Sequence, residues 1–361
     1  MPARRLLLLG LALSVFFPLG ACQRSGPVTR EELHVFGSIT DVEIRGTDTA
    51  HAEAAIAEAS AMLNQREREW HPWKPSDLTR INAAFRAGQS VQAPPSIINL
   101  LRRSQNYAVS SSGLFDPGVG GLVELWGFHT STFPVTTPVP TLDQVAEWLR
   151  THPSVLDVSI QGDRLYSRNP AVQLDFDAVA EGAATSEIIA IFQRRGIKHA
   201  LIGLGGDMMA LGDGDGDGVP WVVGMKDPYG GALGSVELGD NEAFYTSGNY
   251  NKFREAANGA RWGHILDPRT GMPARGAAAT AVLVNDPILA DAASTALMAG
   301  GPAGFARIVK QMKLGCALMV TEENELLITR AMRARMQFLR DPVALGAAVD
   351  SGADCRLQKG G

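Results

Sequence analysis

Asp291, Ser294 and Thr295 stand at positions i, i+3 and i+4 of the run Ala290-Asp291-Ala292-Ala293-Ser294-Thr295-Ala296-Leu297. On a helix this spacing puts a carboxylate and two hydroxyls on one face. Such hard oxygens suit Mg²⁺ or Ca²⁺ rather than zinc. The alanines between them would let the helix pack closely on a neighbour. The bland alternative is an N-terminal cap followed by a polar face. His264 lies in Gly263-His264-Ile265-Leu266-Asp267-Pro268-Arg269-Thr270-Gly271, just before a turn rich in Pro, Thr and Gly. A histidine held on a rigid segment can serve as a general base near neutral pH. His51, His71 and His152 sit among surface-type residues and receive no role.

Three further stretches could carry chemistry. Leu174-Asp175-Phe176-Asp177-Ala178-Val179-Ala180-Glu181-Gly182 crowds three carboxylates at the start of an expected helix. Free backbone N–H groups and the positive dipole end favour anions there. Burying the charges costs free energy unless they meet a metal or donors, or serve only as caps. Gly203-Leu204-Gly205-Gly206-Asp207 is a glycine turn at a strand end, but no Gly-Lys-Ser/Thr follows, so it is not a Walker loop. Asp213-Gly214-Asp215-Gly216-Asp217-Gly218 imitates a calcium loop. Its twelfth position is Gly224 rather than a bidentate Glu, so it reads as a solvated acidic turn.

The elements that must position these residues follow from periodicity. Ala52, Ile56, Ala59 and Leu63 recur at helical spacing and predict a helix over 50–69. Further helices are expected over 96–109, 178–195, 291–299 and 303–312. Strands are expected over 36–44, 199–204 and 221–226, with a hairpin over 316–321 and 325–329. Helices and strands mix without strict alternation, which gives an α+β fold class.

Of the 361 residues 45% are hydrophobic, close to an ordinary globular domain, which argues against disorder as the main state. The net charge of −5 provides no global field for nucleic acid. Arg4 and Arg5 precede an apolar run over 6–17, and Leu19-Gly20-Ala21-Cys22 follows. This pattern resembles a lipoprotein signal with Cys22 as the lipidation site, although a plain secretory signal fits the same stretch. The expected organisation is a signal peptide over 1–21, a tether over 22–30, a catalytic domain over 31–345 and a flexible tail over 346–361. The protein would be lipid-anchored on the periplasmic side of a bacterial membrane, touching that membrane through the anchor only. Cys316 reads as a buried thiol, and a bridge to Cys355 is allowed but not required.

Together these segments resemble the FAD:protein FMN transferase family, often called ApbE. Phe36-Gly37-Ser38, the stretch from Trp73 to Asn82, Gly113-Leu114-Phe115-Asp116-Pro117 and Leu125-Trp126-Gly127-Phe128 carry the likeness through the first half of the chain. The Asp175–Gly182 segment, Gly205-Gly206-Asp207, Pro220-Trp221, Asp227-Pro228, Thr246-Ser247-Gly248, the His264 segment and the Asp291 helix continue it in family order.

The resemblance implies a single large two-lobed catalytic domain and a Mg²⁺-dependent reaction. FAD is split, FMN passes to a Thr or Ser hydroxyl of a target protein, and AMP is released. Exported subunits of membrane electron-transfer complexes are the implied targets. Carried over by position, Asp291 and Thr295 would hold Mg²⁺, with Ser294 beside them and the Ala178 carbonyl completing the set. Phe36, Trp73, Leu114, Phe115, Asp116, Asp175, Glu181 and the Leu266 backbone would contact FAD. His264 would take the proton of the acceptor hydroxyl. The chain departs from the pattern at Phe36 and Ser38, where Met and Thr are usual. It departs again at Asp177-Ala178, where Gly-Gly is common, and at Glu181, where Lys is common. An FAD-delivery lipoprotein and a Mg²⁺-dependent FAD diphosphatase would use the same pocket.

Overall fold

The computed structural model describes residues 26–214, 218–255, 259, 261–339 and 348–355. The expected signal segment, Cys22 and residues 215–217 of the calcium-like loop lie outside the described residues. Among the described residues no helix is long and apolar enough to cross a membrane.

The centre of the molecule is an eight-stranded sheet. Its order is Val28–Val35, Ser38–Arg45, His199–Leu204, Asp207–Leu211, Ala243–Gly248, Ala277–Val284, Cys316–Thr321 and Leu326–Ile328. Every neighbouring pair is antiparallel. Two of its hairpins close through two-residue turns with positive φ at both positions. These are Phe36-Gly37, at 54° and 68°, and Gly205-Gly206, at 64° and 108°. That conformation matches the twist of the paired strands and is easiest for glycine.

Helices Thr49–Trp70, Pro95–Ser110, Asp177–Arg194 and Pro287–Gln311 cover one face of the sheet. A three-stranded sheet of Trp221–Lys226, Ala232–Leu238 and Met336–Phe338 covers part of the other. Alternate residues of the central strands therefore enter different cores. Ala243 and Tyr245 face the helices, whereas Phe244 faces the small sheet. Both sides are apolar, so these strands read as continuous hydrophobic runs with no alternation to mark them. A third cluster holds Leu122, Trp126, Phe128, Val135, Val145 and Leu266. Helices on a mostly antiparallel framework make the fold α+β, as expected.

The helices expected over 50–69, 96–109 and 178–195 form with ends shifted by a residue or two. Helices 291–299 and 303–312 form within Pro287–Gln311, which bends where Gly301 takes φ 59° ahead of Pro302.

Three boundaries need correction. Val28 to Arg30, assigned to the tether, begin the edge strand, because their backbone pairs with the strand ending at Arg45. The strand expected from Phe36 begins at Ser38, because Phe36 and Gly37 form the turn. The segment 348–355, assigned to a flexible tail, packs against the sheet. Val349 bonds the backbone at Ile328 and Arg330, and Cys355 is buried and disulfide-bonded to Cys316 at a Cα separation of 4.7 Å.

Candidate functional site

Asp286 caps the Pro287–Gln311 helix, accepting from the N–H groups of Ile288 and Leu289. Asp291 is thus released from capping, and it is only 7% exposed. Its Oδ2 accepts from the Gly182 N–H at 2.9 Å. The two helices can approach this closely because residue 182 is glycine: a Cβ there would stand 2.5 Å from the Pro287 carbonyl oxygen. Burial, with the Asp177 charge adding to it against the Gly182 donor, pushes the Asp291 carboxyl up to about 7.

Ser294 is buried, and its hydroxyl is already engaged. It donates to the Asp291 carbonyl at 2.9 Å and shares a 2.7 Å hydrogen bond with Ser247. Thr280 Oγ1 donates to the Ser294 carbonyl. Ser294 therefore fastens this turn of the helix to the Ala243–Gly248 and Ala277–Val284 strands. Thr295, one residue on, is partly exposed and makes no side-chain hydrogen bond among the described residues.

Glu181 lies over the glycine hairpin, where a Cβ at Gly205 would fall 2.5 Å from its Oε2. Desolvation, then the Asp291 charge, raises its carboxyl to about 8. Asp207, the residue after that hairpin, is buried and accepts from the Thr246 N–H at 2.6 Å. Burial followed by the charges of Glu181 and Asp291 pushes Asp207 well above the usual carboxylate range. The buried Tyr245 phenol is raised by the same surroundings. Asp175 is buried as well, and its Oδ1 accepts from the Asp177 N–H at 3.0 Å. Its Oδ2 and the nearby Trp73 Nε1 are both buried and complete no hydrogen bond. Desolvation, with Asp177 adding to it, holds Asp175 well above its ordinary value, while the indole pulls the other way. Protonated or metal-compensated carboxyls are the expected outcome for charges held this close.

His264 sits between the strands Arg261–Gly263 and Leu266–Asp267. The Lys252 carbonyl accepts both the His264 backbone N–H at 3.1 Å and ring Nδ1 at 3.2 Å. A carbonyl can only accept, so Nδ1 carries the proton and Nε2 presents a lone pair. Desolvation and the Lys252 charge lower the imidazole to about 4, which keeps it neutral at physiological pH. The Phe128 ring meets it edge-on at 6.5 Å. The segment that follows is held by Trp126, whose Nε1 donates to the Gly271 carbonyl at 2.8 Å. Buried Arg254 donates in turn to the Trp126 carbonyl and to Thr137.

The other residues singled out in the sequence divide by what they can offer a ligand. Phe36 stacks on Trp70 at 6.0 Å, and its N–H donates to Glu67 Oε2. Trp73 stands edge-on to His71 and His129. Leu114 and Phe115 are buried in the core, so only their backbone could meet a ligand. Asp116 accepts from Gly118 N, Ser154 Oγ and Val155 N, so its carboxylate fixes its own loop. That loop reaches the acidic cluster through the Asp175 N–H, which donates to the Pro117 carbonyl at 2.8 Å. Leu266 is buried against the Trp126 cluster.

Sequence reading passes over Lys252, and it includes Asp207 and Tyr245 in its motifs without giving either a role. Lys252 follows the Thr246-Ser247-Gly248 motif by four residues, so its position beside that motif is the available signal.

Among the described residues no three His, Cys, Asp or Glu side chains form a metal-binding group. A cation here would rely on one carboxylate with hydroxyl and carbonyl oxygens. Mg²⁺ is often held this way, by one or two carboxylates together with substrate phosphates and water. Asp291, whose Oδ1 accepts no hydrogen bond from a described residue, fits that role.

Comparison with known proteins identifies the family of the chain. The ApbE family model matches residues 36–320. A Rhodobacter capsulatus protein named FAD:protein FMN transferase is 39% identical over 333 residues, 91% of this chain. The chain spans 63% of the length of that relative. A Klebsiella pneumoniae protein of the same name is 30% identical, covering 79% of this chain and 82% of the relative. The crystal structure of Pseudomonas stutzeri flavinyl transferase ApbE in its apo form superposes with a TM-score of 0.74 at 28% identity, over 86% of this chain and 96% of that one. The ApbE protein of Thermotoga maritima gives 0.76 at 26% identity, over 87% of this chain and all of its own. With a family match over most of its length, the chain belongs to the ApbE family.

Proposed function

We propose that this protein transfers FMN from FAD to a Thr or Ser hydroxyl of a target protein and releases AMP. The observation that carries the reading is convergence. Asp175, Glu181, Asp291 and His264 come from three separate stretches of sequence, yet the Gly182 N–H next to Glu181 bonds Asp291, the Lys252 carbonyl bonds His264, and the charge of that lysine bears on all four.

In this reading the acceptor hydroxyl attacks the phosphorus on the FMN side of the diphosphate. The bond from that phosphorus to the bridging oxygen breaks, and the oxygen leaves with AMP. The acceptor proton passes to His264 Nε2, the lone-pair nitrogen defined by the Lys252 carbonyl. A positioned base of this kind contributes about 10²–10⁴-fold. Asp291, Thr295 and the Ala178 carbonyl would hold Mg²⁺, with Ser294 fixing the helix beneath them. Bound Mg²⁺ would neutralise charge developing on the diphosphate. Trp73, Phe36, Asp175, Glu181 and the backbone of Leu114, Phe115, Asp116 and Leu266 would shape the FAD pocket. The unpaired Trp73 Nε1 and Asp175 Oδ2 offer a donor and an acceptor to a ligand entering there. The apolar segment before Cys22 supports export and lipid anchoring on the periplasmic side of a membrane. With such an anchor, exported electron-transfer subunits would be the targets within reach.

The test is to incubate the purified protein with FAD, Mg²⁺ and a candidate acceptor domain. Covalent in-gel flavin fluorescence with AMP release is the expected result. AMP without labelled protein would replace the reading with FAD hydrolysis, and bound FAD without AMP would replace it with flavin delivery.

A further inference from the structure

We propose that Lys252 is a second catalytic residue of this site, its ammonium engaging the diphosphate of the flavin nucleotide while its carbonyl orients His264. The inference rests on the transferase reading and adds a residue and a contact to it.

Three observations carry it. First, the Lys252 carbonyl accepts two hydrogen bonds from His264, so the lysine backbone and the imidazole are one rigid unit. Second, the Lys252 charge works against the burial that raises Asp175, Asp177, Glu181 and Asp291, so it lies on the same side of the molecule as the helix contact between Gly182 and Asp291. Third, despite those carboxyls, Lys252 forms no ion pair within 4 Å among the described residues, and its side chain is exposed. Four arginines, by contrast, are committed to carboxylates: Arg66 to Glu187, Arg103 to Asp286, Arg269 to Asp267 and Arg335 to Glu242. An ammonium poised among carboxyls but closed onto none is available to an anionic ligand.

The chemistry requires such a group. In the transferase reading a diphosphate brings negative charge beside the buried carboxyls of Asp175, Glu181, Asp207 and Asp291. Burial already disfavours the charged forms of these carboxyls, and one divalent ion on Asp291 does not by itself neutralise a diphosphate brought beside them. As the bond to the bridging oxygen breaks, negative charge grows on the AMP phosphate. The Lys252 N–H donates a hydrogen bond to the phosphate oxygens and keeps its proton. The acceptor proton goes to His264, so the step balances without proton transfer from lysine. A donor aimed at developing charge is worth about 10²–10³-fold in rate.

The experiment compares Lys252→Met and Lys252→Arg with the wild type, using the full purified protein with Mg²⁺. Because the side chain is exposed and the carbonyl is retained, both variants should melt at the wild-type temperature. Binding of FAD and of riboflavin, which has no phosphate, is read by fluorescence anisotropy, and AMP release is read separately. Lys252→Met should weaken FAD binding by at least tenfold, leave riboflavin binding unchanged, and slow AMP release by about 10²-fold. Lys252→Arg should recover most of both losses. Equal loss of riboflavin and FAD affinity, or AMP release within threefold of wild type in Lys252→Met, overturns the proposal. If the wild type binds FAD but labels no acceptor, the transferase reading fails, while the paired flavin affinities still decide the lysine contact. If it binds neither flavin, both fall.

Discussion

The Gly182 N–H donates to Asp291 Oδ2 across 2.9 Å, which joins the second turns of two helices that lie more than 100 residues apart in sequence. One contact thus sets both the helix packing and the carboxylate of the candidate metal site. Gly182→Ala tests it. The added Cβ would meet the Pro287 carbonyl at 2.5 Å, and backbone on both sides prevents easy relief. The expected loss of stability is about 1–3 kcal/mol, seen as a lower denaturation midpoint. Mg²⁺ dependence should shift to higher concentration in the same variant. Unchanged stability and unchanged Mg²⁺ dependence would show that the helices can separate freely here.

The neutral His264 predicts an unusual pH response. Its pKa of about 4 lies below the ordinary 6.5. Between those values the unfolded chain binds a proton that the folded protein does not, so this group's contribution to stability rises with pH across that window. His264→Gln should remove that part of the slope in denaturation curves collected from pH 4 to 7. In activity, the acid limb of kcat/KM at saturating Mg²⁺ should fall near pH 4 to 5 rather than near 6.5. A limb at 6.5 that disappears in the variant would contradict the desolvated imidazole.

The elements that carry the candidate site are legible in the sequence because its motifs are local. The Asp291, Ser294 and Thr295 spacing needs only a helix, and the His264 turn needs only Pro268 and Gly271. The division of labour among those residues was not legible. Ser294 looked like a ligand, but its hydroxyl is bonded to Ser247, which arrives from a distant strand. Asp116 looked like a flavin contact, but three donors from its own loop and from residues 154–155 occupy its carboxylate. Pairings of this kind depend on tertiary packing, which leaves no periodicity behind. The strands Ala243–Gly248 and Ala277–Val284 escaped for a related reason, since burial on both faces erases alternation.

Ser247→Ala separates a supporting role from a ligand role. It removes the 2.7 Å bond to Ser294 and leaves Asp291 and Thr295 in place. A cost of about 1 kcal/mol in stability is expected, with a modest rise in the Mg²⁺ concentration needed for half-maximal rate. Asp291→Asn keeps an acceptor for the Gly182 N–H but loses the charge, so it should stay folded and lose metal-dependent activity by several orders more than Ser247→Ala. Equal effects from the two substitutions would mean that Asp291 acts through packing alone.

The Cys316–Cys355 bridge closes a segment with a sequence separation of 39 residues and holds the chain end beside the sheet. Gly315 permits the approach, because a Cβ there would stand 1.7 Å from the Asp354 carbonyl oxygen. Closing a loop of that length removes unfolded-state entropy worth up to about 4 kcal/mol. Cys355→Ser should therefore lower stability by up to about that amount. Reducing agent should do the same to the wild type and add nothing in the variant. Flavin transfer at low temperature should persist, because the bridge lies in the core opposite the helices, away from Asp291 and His264. Loss of transfer in a variant that remains fully folded would instead tie the chain end to the active cleft.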